Sequence, residues 1–163
     1  MASYVLDYLQ GRGAIFTVIP HLRGSEEDGE IYPAGVSPDE VVTTVVAVGE
    51  HGPSLMVIPA SRTLDPELML EAVGDPEARL ATERELGRSF PDYDPGALPP
   101  LSMLLLAPMY VDPAVAERTE IVFGAGRGDV SVRMATSDLF GTDPVVIVPL
   151  TAESRVDVAT ATG

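Results

Sequence analysis

The stretch VVTTVVAVGEHGPSLMVIPA, residues 41–60, decides how the rest of the chain is read. VVTTVVAV (41–48) is rich in β-branched residues and almost unbroken in apolar character, which predicts a buried strand. GEHGP (49–53) supplies a turn, and SLMVIPA (54–60) predicts a second strand, so the two form a hairpin. Thr43 and Thr44 are the polar interruption of the first strand. Strand propensity alone is enough to account for both, because threonine is β-branched.

Working outward, SYVLDYLQ (3–10) carries Tyr4, Val5, Tyr8 and Leu9 at the spacing of one helical face, closed by Gly11 and Gly13. AIFTVIP (14–20) predicts a strand, and HLRGSEEDGEIYPAG (21–35) a loop. SPDEV predicts a short helix leading into residue 41, with Ser37 as N-cap, Pro38 at the first position and two acids in the first turn. Downstream, Asp65-Pro66 opens a helix that ends at Gly74, RLA (79–81) predicts a short strand, and Thr82 with Glu85 forms a capping box. PDYDPGALPPLS (91–102) is a shaped Pro/Gly loop. MLLLAPMYVD, EIVFGAG and DVSVRMA predict further strands, with a helix start at DPAVAE (112–117). TSDLF (136–140) predicts a last short helix and VVIVPL (145–150) a late strand. Helices and strands alternate irregularly, which excludes a regular βαβ series and an all-β sandwich. The expected fold is α+β, a mixed sheet with short helices around it. One domain spans 1–150, and 151–163 is expected to be a frayed tail.

The composition narrows the function. At 163 residues and 45% apolar content the chain is long enough for one folded core, and it has no cysteine for a disulfide, a thiolate nucleophile or a Cys-ligated zinc. Twenty-five acids face ten basic residues, all arginine, for a net charge of −15. That charge repels nucleic-acid phosphates unless basic groups gather on one face. No basic region precedes an apolar run and no apolar stretch nears 18 residues, so no membrane partner is expected and a cytoplasmic location is. GAGRG (124–128) is followed by an alternating strand, not by a helix N-terminus, so it reads as a hairpin turn and not as a phosphate loop. His21 and His51 stand alone, no G-x-S-x-G elbow is present, and SEEDGE (25–30) reads as a solvated loop. No metal and no cofactor are expected. GALPP (96–100) is more informative. Gly96 permits close backbone approach, Pro99 and Pro100 fix the loop's shape, and the Ala97 and Leu98 amides are then available to a small polar ligand or an oxyanion.

Taken in order, these segments resemble the YbaK/ProX family of aminoacyl-tRNA deacylases, whose domain also occurs as the editing insertion of bacterial prolyl-tRNA synthetases. The resemblance covers about residues 3–142. It rests on VLDYLQGRGAIFTVIPH, GVSPDEVVTTVVAV, SLMVIPASRTLDPELMLEAVG, ARLATERELG, the G-x-x-x-P loop GALPP, PMYVDPAVAERTEIVFGAGRGDVSVRM and SDL. It implies a mixed sheet curling into a partial barrel, hydrolysis of the ester of misacylated tRNA, and that tRNA as partner. It also implies a substrate site formed by Thr43, at the position of the family's functional lysine, with Thr44, Gly96, Ala97, Leu98, Pro99, Pro100, Gly124, Gly126 and Arg133.

Two departures from the family pattern bear on activity. A threonine at position 43 offers one neutral donor where lysine offers a charge, and no other lysine exists to replace it. After the loop the chain runs LSMLLLAP (101–108), where many relatives carry glycine and basic residues. Arg127 and Arg133 are the candidate phosphate contacts. Two readings follow: an atypical deacylase, or a catalytically inactive module that binds an amino-acid-like ligand or a protein partner through Leu101–Pro108. The enzymatic reading requires Thr43, residues 96–100 and an arginine around one open site, with Leu101 and Met103 outside it.

Overall fold

The computed structural model describes residues 4–20, 36–127, 130–141 and 144–154. The acidic stretch 25–30 and His21 lie outside the described residues, as do Gly128 and Asp129 of the hairpin turn and the chain beyond Ser154.

The hairpin expected at residues 41–60 is present. β2 (Val41–Gly49) and β3 (Gly52–Pro59) pair antiparallel from Val42–Pro59 to Gly49–Gly52. Around it the sheet extends both ways in the order β1-β7-β6-β2-β3-β5-β8, with β4 pairing separately to β2. The remaining strands are β1 (Phe16–Pro20), β4 (Arg79–Leu80), β5 (Met109–Val111), β6 (Glu120–Gly124), β7 (Val130–Ala135) and β8 (Val146–Ile147). Pairings β2–β6, β3–β5 and β5–β8 are parallel and the others antiparallel, so the sheet is mixed. It ends in two open edges, β1 and β8, and does not close into a barrel.

The two faces of this sheet are covered unequally. Val42 and Val46 of β2, Leu55 and Val57 of β3, Met109 and Val111 of β5, and Ile121 and Phe123 of β6 face the main core. Helices α1 (Tyr4–Gly11), α4 (Ser102–Leu105), α5 (Pro113–Ala116) and α6 (Thr136–Phe140) add Val5, Leu9, Leu105, Val115 and Leu139 to it, and Phe90 comes from the end of α3 (Glu83–Ser89). On the opposite face a smaller core holds Ala47, Met56, Ile58 and Leu150 under Met69 of α2 (Pro66–Val73). Only the β2–β3–β5 part of that face has the cover of α2.

The helix ends follow their sequence signals. Asp65 accepts from the Glu67 and Leu68 amides at 2.9 and 3.2 Å, and Gly74 closes α2 with φ +73°. The Thr82–Glu85 capping box forms in both directions, at 3.2 and 3.0 Å. Two expectations are corrected. Residues 37–40 make a turn instead of a short helix, because Val41 already enters the sheet. Ser37 Oγ accepts from Asp39 N and Glu40 Oε2 from Ser37 N, which satisfies the turn in place. The start of MLLLAPMYVD is helical, α4, and the strand begins only at Met109. Leucine and methionine favour helix, and the stretch has no β-branched residue before Val111.

The chain stays packed beyond residue 150. Thr151 and Ser154 are buried around Asp112, which is fully buried and caps α5 through the Ala114 amide. Asp112 accepts from the Leu150 and Thr151 amides at 2.9 and 3.0 Å, and from Thr151 Oγ1 and Ser154 Oγ at 3.1 and 2.5 Å. The segment expected to fray therefore begins with a docked turn.

Candidate functional site

One edge of β2 has two successive partners. Its first residues pair with β6 (Val41–Val122, Val42–Phe123) and its later ones with β4 (Ala47–Leu80, Val48–Arg79). The 3-10 turn Pro95–Ala97 packs against β2, β6 and α3. Its seat is made of glycine. A Cβ on Gly124 would come within 2.9 Å of Ala97 Cα, so any side chain there would push the loop's backbone away. Gly126, at φ +89°, donates its amide to Ala97 O and accepts from Asp94 N, both at 2.8 Å. A Cβ on Gly126 would meet the Tyr93 ring at 2.9 Å. Burial of Tyr93, followed by the charge of Asp92, pushes its phenol up from the ordinary value.

This seat lies on the same face as the smaller core, beyond the part that α2 covers. Val42 and Phe123 point into the main core as a register pair, so Thr43 and Gly124, one residue on, face the other way. Extending that register by one residue brings Thr43 level with Gly124 and beside the loop that Ala97 lays over it. Thr43 is exposed, as a residue lining an accessible site has to be. Arg133 pairs with Val122 across β6–β7 and so shares this face, one row away. Its guanidinium lies 3.9 Å from the Glu40 carboxylate, which stands just before β2.

Thr44 is separated from this group. It faces the main core with Val42 and Val46, is 7% exposed, and its Oγ1 has no hydrogen-bond partner among the described residues. Leu101 is fully buried in that same core, on the other side of β2 from Thr43, and Met103 is 56% exposed.

The loop presents less backbone than its sequence suggests. Ala97 N–H is already committed to Asp94 O at 2.9 Å inside the 3-10 turn. Leu98 N–H has no acceptor among the described residues, and Pro99 and Pro100 carry no donor. Ala97, Leu98, Pro99 and Pro100 are buried, whereas Gly96 is exposed with no protein atom within 4 Å of where its Cβ would stand.

Electrostatically, three arginines close in sequence or packing to this loop have no acidic partner among the described residues. Arg84 and Arg88 are exposed on α3, which packs on the 3-10 turn, and Arg127 directly follows Gly126. Arg79 is instead held by Glu85, bidentate at 2.7 and 2.9 Å. His51 is exposed at the β2–β3 turn, away from the loop. Among the described residues no three His, Cys, Asp or Glu side chains come together to hold a metal ion, and no helix is long and apolar enough to cross a membrane. Sequence reasoning missed Glu40 and Tyr93 as supports of the site. Asp94-Pro95 repeats the helix-opening signature of Asp65-Pro66 and Asp112-Pro113, and that signal points to the turn on which the loop is built.

Comparison with curated proteins gives no match. Among solved structures, a protein provisionally described as a trans-editing enzyme for prolyl-tRNA synthetase superposes with a TM-score of 0.76 at 23% identity, over 90% of this chain and 94% of that one. A hypothetical protein superposes with a TM-score of 0.77 at 24% identity, over 90% and 98% of the two chains. A protein from Marinobacter aquaeolei described in terms of signal transduction matches 92% of this chain but only 31% of its own length, at 17% identity and a TM-score of 0.69. At these identities the structures establish the fold. The aminoacyl-tRNA editing domain model matches residues 32–141, well over half of the chain. That span takes in β2 with Thr43, the GALPP loop and its glycine seat, and the chain belongs to the aminoacyl-tRNA editing domain family.

Proposed function

We propose that this protein is an aminoacyl-tRNA deacylase of the trans-editing type, with Thr43 working where relatives use lysine. The observation that carries the reading is Gly96. Its space is open and its φ lies outside the left-handed region, so the fold itself gives no reason for glycine there. A substrate passing close over the loop backbone does give one.

In this reading the aminoacyl ester lies over Gly96, between the loop and Thr43. Water attacks the ester carbonyl, the bond from that carbon to the ribose oxygen breaks, and the ribose oxygen leaves as a hydroxyl with the proton given up by water. Leu98 N–H is the loop's available donor to the oxygen on which negative charge develops. Thr43 Oγ1 adds a neutral donor that orients the ester or the water. A positive charge at that point stabilises the developing oxyanion more strongly, so the reaction runs more slowly than in a lysine-bearing relative, by about 10²–10³-fold if that donor is worth a typical oxyanion-hole contact. Arg84, Arg88 and Arg127 receive the phosphates of the acceptor end, and Arg133 stays engaged with Glu40. Because the protein carries −15 overall, this local group of cations has to do the docking, and binding weakens steeply with salt.

The alternative is a binding module in which the same loop holds an amino-acid-like ligand without hydrolysis. The neutral Thr43 favours it. Ester hydrolysis across a panel of correctly and wrongly charged tRNAs, at several salt concentrations, separates the two. Release of the amino acid from at least one mischarged species, above the rate without protein, is the expected result. No release on any species, where a lysine-bearing relative is active, makes this a binding module.

A further inference from the structure

Half of the large hydrophobic side chains exposed among the described residues surround one place. Met103 (56% exposed), Leu106 (86%), Val146 (50%) and Ile147 (56%) lie where α4 meets the edge strand β8. A groove of about 370 Å³ opens there, lined by Ser102, Met103, Ala107, Pro108, Pro144 and Val145 among others. Leu106 stands at its rim in the left-handed region, φ +56°, a conformation that costs an L-residue about 1–2 kcal/mol. That backbone turns the leucine out of α4 and leaves it protruding.

We propose that two copies of this chain associate through the α4–β8 face, each placing Leu106 in the groove of the other. Two features of the face favour a second copy over an unrelated partner. A knob and a hole side by side on one surface are self-complementary, as a two-fold interface requires. Charge also selects it. Residues 101–111 and 144–150 contain no charged side chain, in a protein of net charge −15. Two copies so charged repel wherever charged surfaces meet, and these two segments bring no charged side chains together. β8 is in addition an edge strand, whose outer backbone groups have no neighbouring strand among the described residues. The proposal is independent of whether the protein hydrolyses anything.

Sedimentation of the full chain over a concentration series tests it. The wild type is expected to move from 17.2 kDa toward twice that mass, and to do so at lower concentration when salt screens the like charges. Leu106→Asp and Met103→Asp are expected to stay at the monomer mass throughout, with unchanged circular dichroism because both positions are exposed. Val18→Asp, on the opposite edge strand β1, is expected to dimerise like the wild type. A wild type that remains monomeric across the series, even one whose groove takes up a hydrophobic dye or another protein, overturns the proposal. So does a dimer that survives both groove substitutions, or one that Val18→Asp dissociates equally.

Discussion

Residues 96–100 and residues 102–108 are neighbours in sequence and opposite in construction. The first segment is held by its backbone: Ala97 O receives the Gly126 amide, and Gly124 has no side chain so that Ala97 can lie against it. Its specificity lies in what is absent, a Cβ here and two amide hydrogens there. The second segment is held by one side of a single helical turn, Leu105 in the core, while Met103 and Leu106 project outward. Substitution in the first acts through the main chain and is felt by the whole loop. Substitution of Met103 or Leu106 in the second acts through one exposed side chain and leaves the fold alone. On the two proposals above, the chain separates a surface for a small polar substrate from one for a second copy within a dozen residues.

The largest test of this division is Thr43→Lys. Placing a positive charge on the exposed face beside the loop is expected to raise deacylation by about 10²–10³-fold, read as kcat/KM on a mischarged tRNA, with dimerisation unchanged. No gain would mean that the loop and Thr43 do not share a substrate.

Two glycines separate fit to the protein from fit to a ligand. Gly124→Ala forces backbone against backbone and is expected to cost about 1–3 kcal/mol in urea unfolding, together with activity. Gly96→Ala meets no protein atom and is expected to leave stability within about 0.5 kcal/mol while activity falls. Equal losses of stability would show that Gly96 is structural after all.

The adjacent threonines give a smaller effect of opposite sign. Thr44→Val removes a buried hydroxyl without a partner and is expected to stabilise the protein by about 1 kcal/mol with activity retained. Thr43→Val is expected to leave stability near wild type and to lower activity.

The smallest effect is confined to acid. Glu85 is held down to about 2, from an ordinary 4.5, chiefly by Arg79 and then by the Thr82 amide. A carboxylate depressed in the folded state contributes stability that is present above pH 4.5 and is lost as pH falls toward 2. Glu85→Gln is therefore expected to flatten that part of the acid-unfolding curve and leave neutral pH almost unaffected. Since α3 packs on the 3-10 turn, the loop is expected to loosen in the same interval.

Much of this was legible in the chain, for local reasons. The capping box, the Asp-Pro starts and the hairpin at 41–60 are decided by a few adjacent residues, and they appear where those residues stand. The start of MLLLAPMYVD is expected as strand because an unbroken apolar run carries no period, and only α4 docking on the core settles helix over strand. At the site, GALPP was visible as a shaped loop. That Ala97 spends its amide internally was not, since that depends on Asp94 and the 3-10 turn. Nor was the separation of Thr43 from Thr44, because both faces of β2 are apolar enough to accept either register.

The buried carboxylate of Asp112 ties α5 to a distant stretch of the chain. Four of its donors come from residues 150–154, some forty positions later in the chain. A chain lacking residues 150–154 would leave this buried carboxylate with the Ala114 amide as its remaining donor among those described, at a cost in stability. The packing of one short helix thus depends on residues added to the chain well after it.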